Sequence, residues 1–275
     1  MATEHLLLAF ALTVFAGLST GIGSAIAFLT RKTNETFLCA ALSFSAGAMI
    51  YVSFIEIFPK AADSLTAEMG SSLGYIITTI AFFGGILLIA IIDKLVPEYE
   101  NPHEMHHLEE MDREKVHAAL RKDPPKNLYR MGIFMALAIA LHNFPEGLAT
   151  FIATLQDPSL GIPVAVAIAI HNIPEGIAVS VPIYFATGSR KKAFMFSALS
   201  GLAEPVGALV GYLLLMPFLN DFVFGIIFAM VGGIMVFISF DQILPAAREY
   251  GRHHVSVYAL TAGMAVMAIS LMLFA

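Results

Sequence analysis

The sequence predicts an all-α membrane protein with eight transmembrane helices, and three observations carry this prediction. Of the 275 residues, 58% are hydrophobic, and the mean hydropathy is +0.79. Only 13% are charged, whereas a soluble domain carries roughly 25% charged residues. The apolar residues also fall into runs of about 20, the length that an α-helix needs to cross a bilayer. A water-soluble chain of this composition could not cover its own surface with polar groups.

Eight apolar runs follow one another along the chain. Helices 1 to 8 are predicted at about residues 6–29, 36–58, 73–92, 129–155, 160–186, 191–216, 222–244 and 255–274. The one long hydrophilic stretch, about 93–128, is rich in His, Glu, Lys and Pro and predicts a loop. Residues 1–275 are therefore expected to form a single transmembrane domain that carries this His-bearing loop between helices 3 and 4.

The basic residues indicate how the helices are oriented. Fourteen of the 15 Lys and Arg residues follow helix 1, 3, 5 or 7, and only Lys60 lies at the opposite ends. Because cytoplasmic loops carry an excess of Lys and Arg, both termini are expected outside and the loop 93–128 in the cytoplasm. The segment 1–5 lacks the basic residues of a secretory signal, so helix 1 is interpreted as a retained span.

Two internal similarities predict inverted repeats. LAIALHNFPEGLA at 137–149 and VAIAIHNIPEGIA at 166–178 agree at nine of 13 positions and lie on the antiparallel helices 4 and 5. A weaker similarity relates residues 17–24 to 201–208 and residues 53–59 to 239–245, at offsets of 184 and 186. Helices 1–3 are therefore expected to be related to helices 6–8, although shared small residues for helix packing are an alternative explanation. Inverted repeats around a midplane site are typical of secondary transporters.

The predicted spans contain acidic residues without basic partners. Each acid in a membrane helix costs roughly 2.5–3.5 kcal/mol on insertion scales. The only Lys or Arg residues within the bounds of these spans, Arg130, Lys191 and Lys192, stand at the span ends, away from the acids. Either protonation or a bound cation would neutralise the acids. They are Glu56, Glu146, Glu175, Glu204 and Asp241.

The duplicated motif places metal-ligand side chains on one face of each helix. In each copy a His and a Glu stand four residues apart, so they share a helix face. An Asn follows each His, and a Pro before each Glu frees a carbonyl that must line a polar cavity or find a ligand. Glu204, beside Pro205, is expected to complete the site from helix 6. The candidate ligands are His142, Asn143, Glu146, His171, Asn172, Glu175 and Glu204.

The ligand types indicate a divalent transition metal. Imidazole with carboxylate suits Zn²⁺, Fe²⁺, Mn²⁺, Co²⁺ or Ni²⁺, whereas Mg²⁺ and Ca²⁺ favour all-oxygen sites. Cys39 is the only cysteine, so a thiolate cage for Cu⁺ is excluded. A buried polar network that locks two helices would not explain why the ligand types recur. Glu56 and Asp241 are either ligands along the metal pathway or interfacial residues. The loop histidines either capture metal or belong to an ordinary solvated loop; they are His103, His106, His107 and His117.

At HNFPEG (142–147) and HNIPEG (171–176) the sequence resembles the ZIP family of divalent-metal transporters, in particular its bacterial branch. The resemblance covers the whole chain, with eight spans, both ends outside and the His-bearing loop. It implies import into the cytoplasm across the bacterial inner membrane, with Zn²⁺ foremost and Fe²⁺, Mn²⁺, Co²⁺ and Cd²⁺ as further cargo. It also implies a two-metal site, with one centre of His142, Glu146, His171 and Glu175. Asn143, Asn172 and Glu204 would form the other centre, with Glu146 and Glu175 as bridges.

Two other function classes stay open at this point. One is an intramembrane metallohydrolase, since His and Glu four residues apart could hold a catalytic zinc; the pattern HExxH is absent, however, and a duplicated site suits a passage better. The other is a channel or proton-coupled carrier of a different cation. An enzyme, a prosthetic group and nucleic-acid binding are not expected, the last because no basic face is present. Divalent metal ions and the lipid bilayer are the expected partners, and a homodimer is left open.

Overall fold

The computed structural model describes residues 2–27, 35–95, 124–218, 220–249 and 252–274. Within these ranges the chain is helical and contains no strand, so the all-α prediction is confirmed. The described residues form eight helical rods, which we label α1 to α8 in chain order. Residues 96–123, most of the predicted loop, lie outside the described ranges.

Five of the rods are α-helical throughout, and three contain irregular turns. The regular rods are α1 (Ala2–Ala27), α3 (Ser71–Leu95), α4 (Pro124–Gln156), α5 (Pro158–Thr187) and α8 (His253–Phe274). Rod α2 consists of Glu35–Val52, a π-helical turn Ser53–Ile57 and Phe58–Met69. Rod α6 consists of Arg190–Gly201, Ala203–Val210, a π-helical turn Gly211–Leu215 and a 3₁₀ turn Met216–Phe218. Rod α7 consists of Asp221–Ile238, a π-helical turn Ser239–Ile243 and Leu244–Glu249.

Seven stretches of the described chain are long and apolar enough to cross a membrane. They are Glu4–Ala25, Thr36–Met69, Ser71–Lys94, Pro158–Val181, Arg190–Leu214, Asp221–Arg248 and His253–Leu273. The remaining rod, α4, has 33 residues, which correspond to about 50 Å at 1.5 Å per residue, and it carries the first copy of the motif. The protein is thus a multi-pass membrane protein, while the count of eight spans stays a prediction.

Rod α2 is longer than the sequence predicts, because its proline does not end it. The apolar run predicts an end near residue 58, yet the rod continues through Pro59 to Met69. A proline leaves one carbonyl a turn earlier without its helix partner, and the π-helical turn Ser53–Ile57 rearranges the hydrogen bonds at that place. Rod α7 repeats this arrangement, with a π-helical turn just before Pro245.

The rods pack as two groups. Rods α1, α4, α5 and α6 pack against one another, and α2, α3, α7 and α8 form the second group. The groups meet chiefly where α2 lies against α5, with α7 against α4 as a smaller contact. Within the first group, glycines let the helix backbones approach closely; Gly147 of α4, for example, faces the backbone of Glu204 in α6. This packing brings α4, α5 and α6 together around the residues of the motif.

Candidate metal centre

The polar side chains of the two motif copies are buried inside the first group of helices. Burial of such groups at membrane depth requires a polar partner or a ligand for each. His142 lies on α4 one turn before Glu146, and its side chain is outside the described part of the structure. The described side chains are almost fully buried, with 0% exposure for Asn143, Glu146, His171, Asn172 and Glu204 and 1% for Glu175.

One contact joins the two copies of the motif directly. His171 Nε2 of α5 lies 3.1 Å from Glu146 Oε1 of α4. Both side chains are inaccessible to solvent. An imidazole nitrogen and a carboxylate oxygen from crossing helices are therefore side by side, which is the ligand pairing that zinc and related metals accept.

A second contact brings Glu204 of α6 to the second copy. The Asn172 amide Nδ2 donates to Glu204 Oε1 and also to the carbonyl of Ala16 in α1, the latter at 3.0 Å. In the first copy, Asn143 Nδ2 donates to the carbonyl of Ser200 in α6 at 3.2 Å. Both amide groups are thus anchored through nitrogen to a neighbouring backbone, which holds each amide in one orientation.

Four buried oxygens of this cluster have no hydrogen-bond partner among the described residues. They belong to two amides and two carboxylates, namely Asn143 Oδ1, Glu146 Oε2, Asn172 Oδ1 and Glu204 Oε2. A buried polar atom without a partner costs about 1–3 kcal/mol. Carboxylate and amide oxygens are ligands for divalent cations, so a bound cation would satisfy the atoms that the protein leaves unsatisfied.

The described side chains are gathered as pairs. Within the described part of the chain, no three His, Cys, Asp or Glu side chains lie close enough together to form a metal-binding group. Glu146 is turned towards His171, Glu204 towards Asn172, and Glu175 towards a serine described below. His142, the other imidazole of the expected set, does not enter that search because its side chain lies outside the described part.

Rod α2 supplies a contact that the sequence did not predict. Ser45 Oγ donates to Glu175 Oε1 at 3.0 Å, and both residues are buried. Other serines of the same rod serve different partners, since Ser43 bonds Ser256 of α8 and Ser53 bonds the carbonyl of Met49. Nothing in the sequence of this apolar run distinguishes Ser45 from them. Only the packing of α2 against α5 reveals it.

The outlying candidates lie on irregular helical turns. Glu56 is in the π-helical turn of α2 and lines a cavity of about 750 Å³ together with Lys60, Asp63, Asp157 and Asp221. Asp241 is in the matching turn of α7. The loop histidines His103, His106, His107 and His117 lie outside the described residues.

Comparison with known proteins places the chain in a family. The family model described as ZIP zinc transporter matches residues 94–271. The zinc transporter ZupT of Oceanobacillus iheyensis is 64% identical over 272 residues, which cover 99% of this chain and 100% of that protein. The zinc transporter ZupT of Streptococcus mutans is 61% identical over 272 residues and 99% of each chain. That of Nitratidesulfovibrio vulgaris is 61% identical over 273 residues and 98% of each. The chain therefore belongs to the ZIP zinc transporter family.

Proposed function

We propose that this protein imports divalent transition-metal ions, chiefly Zn²⁺, through a site formed by α4, α5 and α6. Its family is one of transporters, which answers the hydrolase alternative, and the similar proteins are named zinc transporters. The observation that carries the proposal is the buried cluster in which amide and carboxylate oxygens from three helices have no hydrogen-bond partner among the described residues. Such a cluster is suited to bind a cation, because the basic residues of these spans lie only at their ends and do not compensate the acids. Fe²⁺, Mn²⁺, Co²⁺ and Cd²⁺ are proposed as further cargo, since the same ligands suit them.

The proposed ligands are the seven residues that the sequence predicts, arranged as a binuclear site. The contact of His171 with Glu146 supports a first centre, which His142 and Glu175 complete. The contact of Asn172 with Glu204 supports a second centre, which Asn143 completes. Glu146 and Glu175 are proposed to bridge the two metal ions, because a carboxylate has two oxygens and can bind one ion with each.

The helix contacts in the first group support an inverted repeat. Between α1 and α5, Gly23 faces the carbonyl of Ile173 and Gly176 faces the carbonyl of Thr20. The repeat offsets are 184 residues from α1 to α6 and 29 residues back from α5 to α4. These offsets turn the pair Gly23 and Ile173 into Gly207 and Phe144, and the pair Gly176 and Thr20 into Gly147 and Glu204. In both new pairs the glycine again faces the carbonyl of its partner. The same offsets relate the two asparagine bonds, Asn172 to Ala16 and Asn143 to Ser200.

The second group repeats in the same way. Between α2 and α8, Gly47 faces the carbonyl of Leu260 and Gly263 faces the carbonyl of Phe44. Between α7 and α3, the equivalent pairs are Gly233 with Phe82 and Gly85 with Met230. Each glycine–carbonyl contact in one half of the chain thus has its counterpart in the other half. This correspondence supports the relation of helices 1–3 to helices 6–8 more strongly than shared small residues alone would.

The orientation is a proposal that rests on charge, and the homodimer is a proposal still to be tested. The distribution of Lys and Arg supports outward termini and a cytoplasmic loop 93–128. Labelling of a cysteine introduced at position 110 by an impermeant reagent applied outside intact cells would contradict this orientation. A homodimer is tested by light scattering of the purified protein in detergent, and a monomeric mass would refute it.

The test of the function is metal uptake by the purified protein in proteoliposomes. Zn²⁺, Fe²⁺, Mn²⁺ and Cd²⁺ should enter the vesicles. The double variant His142→Ala, His171→Ala should take up zinc about tenfold more slowly or worse, since it removes both imidazole ligands. The double variant His253→Ala, His254→Ala is the matched control, because it removes two histidines at the exposed start of α8. Near-normal zinc uptake after loss of His142 and His171 would contradict the site, and voltage-driven K⁺ or Na⁺ flux would favour a cation channel.

A further inference from the structure

We propose that Ser45 of α2 is a positioning residue of the metal site, which orients Glu175 for its cargo. Ser45 belongs to the second group of helices, whereas every proposed ligand belongs to the first. The inference rests on the proposed function, because it takes Glu175 as a ligand of the transported ion. It deepens that function by assigning to α2 a direct part in metal affinity.

The contact between Ser45 and Glu175 is a buried hydrogen bond from a hydroxyl to a carboxylate. The hydroxyl Oγ donates to Glu175 Oε1 at 3.0 Å. Ser45 is 0% exposed and Glu175 is 1% exposed, so water does not compete for either atom. A hydrogen bond to a carboxylate in such surroundings restricts its rotation and determines how its oxygens face the neighbouring ligands.

Rod α2 holds Ser45 in place through its opposite face. Ser43 and Gly47 are four residues apart and share one face, which packs on α8. There Ser43 Oγ bonds Ser256 Oγ at 2.8 Å, and Gly47 faces the carbonyl of Leu260. Ser45 is two residues from each, about 200° around the helix at 3.6 residues per turn. The backbone of α2 at Gly47 thus lies directly against α8, and this contact, which does not depend on the Ser43 hydroxyl, fixes the face that α2 presents to α5.

The repeat shows that this contact is specific to one motif copy. The position in α7 that corresponds to Ser45, at the offset of 186 residues, is Val231, whose side chain cannot donate a hydrogen bond. Glu146, the counterpart of Glu175, has its Oε1 beside His171 instead. The two motif glutamates are therefore held by different groups, and a change at Ser45 should act through Glu175 and not through Glu146.

The consequence should appear in metal affinity. Groups that hydrogen-bond to a ligating carboxylate orient it, and their loss typically costs about 10–100-fold in metal affinity or activity. Because Ser45 does not itself bind the ion, its removal should raise the KM for Zn²⁺ and leave the maximal rate nearly unchanged. A residue that only maintained the fold would instead lower the amount of active protein without changing KM.

The experiment compares zinc uptake in proteoliposomes by Ser45→Ala and by its matched control Ser43→Ala. Both substitutions remove a buried hydroxyl from the same rod, two residues apart, but only Ser45 contacts a proposed ligand. Ser45→Ala should raise the KM for Zn²⁺ roughly tenfold with a maximal rate within about twofold of wild type, normalised to inserted protein. Ser43→Ala should keep the wild-type KM.

A second pair of variants separates the hydroxyl from the packing. Thr and Val have the same shape, so Ser45→Thr and Ser45→Val add equal bulk, but only Thr keeps the hydroxyl. The KM of the Val variant should exceed that of the Thr variant roughly tenfold, and titration calorimetry with Cd²⁺ should show the same ratio in Kd. Equal KM values in this pair, or equal increases in Ser45→Ala and Ser43→Ala, would overturn the role of Ser45. Failure of the wild-type protein to bind or transport any of the metals would instead overturn the proposed function.

Discussion

The two copies of the HNxPEG motif have nearly the same sequence but different neighbours. In α4, Glu146 contacts His171, and Asn143 bonds the carbonyl of Ser200. In α5, Glu175 contacts Ser45, and Asn172 bonds both the Ala16 carbonyl and Glu204. The backbone bonds of the two asparagines correspond under the repeat, while the side-chain contacts do not.

The two motif copies thus make similar backbone contacts, and the side chains of the flanking helices make them unequal. Glu204 of α6 and Thr20 of α1 occupy equivalent positions, and each faces a motif glycine. Only Glu204 brings a carboxylate to the cluster. Similarly, Ser45 has Val231 as its counterpart. An asymmetric site with one additional acid on one side is built on nearly symmetric backbones.

The largest effect on zinc uptake and on thermal stability is expected from substitutions at the two motif glycines, where helix backbones touch. A side chain at Gly147 or at Gly176 would overlap the carbonyl oxygen of Glu204 or of Thr20, respectively. Gly147→Val and Gly176→Val should each abolish zinc uptake and lower the melting temperature strongly, since overpacking against a rigid backbone costs at least about 1–3 kcal/mol. Thermal unfolding in detergent and uptake in proteoliposomes measure the two effects.

The control for these variants is Gly84→Ala in α3, where an added Cβ would meet nothing within 4 Å. It should leave uptake and thermal stability at wild-type levels, because it adds a methyl group in open space. Wild-type uptake by Gly147→Val would show that close approach of α4 and α6 is not needed to place Glu204.

A smaller effect on zinc uptake is expected from substitution of Glu204, the acid of α6 that has no acidic counterpart in α1. Glu204→Thr makes α6 resemble α1 at this position and removes a proposed carboxylate ligand, so zinc uptake should fall at least about tenfold. Thr20→Ala changes the equivalent position, whose hydroxyl has no hydrogen-bond partner among the described residues, and uptake should remain within about twofold. Equal losses in the two variants would mean that the helices contribute to the site in the same way.

The smallest effect is expected at the junction between the two copies. Asp157 caps α5 by accepting a hydrogen bond from the backbone N–H of Ser159 at 2.8 Å, and this bond lowers the pKa of the Asp157 carboxyl below its ordinary value. Because the pKa is lower in the folded protein, the stabilisation is complete above the unfolded pKa and is lost as the pH falls through the folded one. Asp157→Ala should cost about 1 kcal/mol at neutral pH, with unchanged uptake.

The measurement is the melting temperature of wild type and variant between neutral and acidic pH. The difference between them should shrink in acid, and Asp157→Asn, which keeps the cap without the charge, should show little of the neutral-pH loss. If the difference in melting temperature between wild type and Asp157→Ala grew as the pH fell, the ionised Asp157 carboxylate would not be the stabilising form.

Features that depend on residues close together in the chain could be predicted from the sequence. Apolar runs of about 20 residues predict spans wherever they occur, and the helices begin and end near the predicted residues, except at the end of helix 2. Residues four apart on a helix share a face wherever the helix lies, so the His and Glu pairs could be identified without coordinates. The repeated motif likewise showed which two helices would carry the polar groups, and the family resemblance extended this to import of a divalent metal.

Features that depend on which helices meet became visible in the packed helices alone. The sequence predicts an end of helix 2 near residue 58, but the π-helical turn before Pro59 and the packing of the following turns on α7 carry the rod to Met69. The selection of Ser45 from several similar serines follows from the contact of α2 with α5 alone. In a membrane interior, apolar surface does not distinguish one neighbour from another, since lipid tails are as apolar as leucine. Close backbone contacts and a few polar bonds choose the neighbours, and these are properties of pairs of helices that no single stretch of sequence contains.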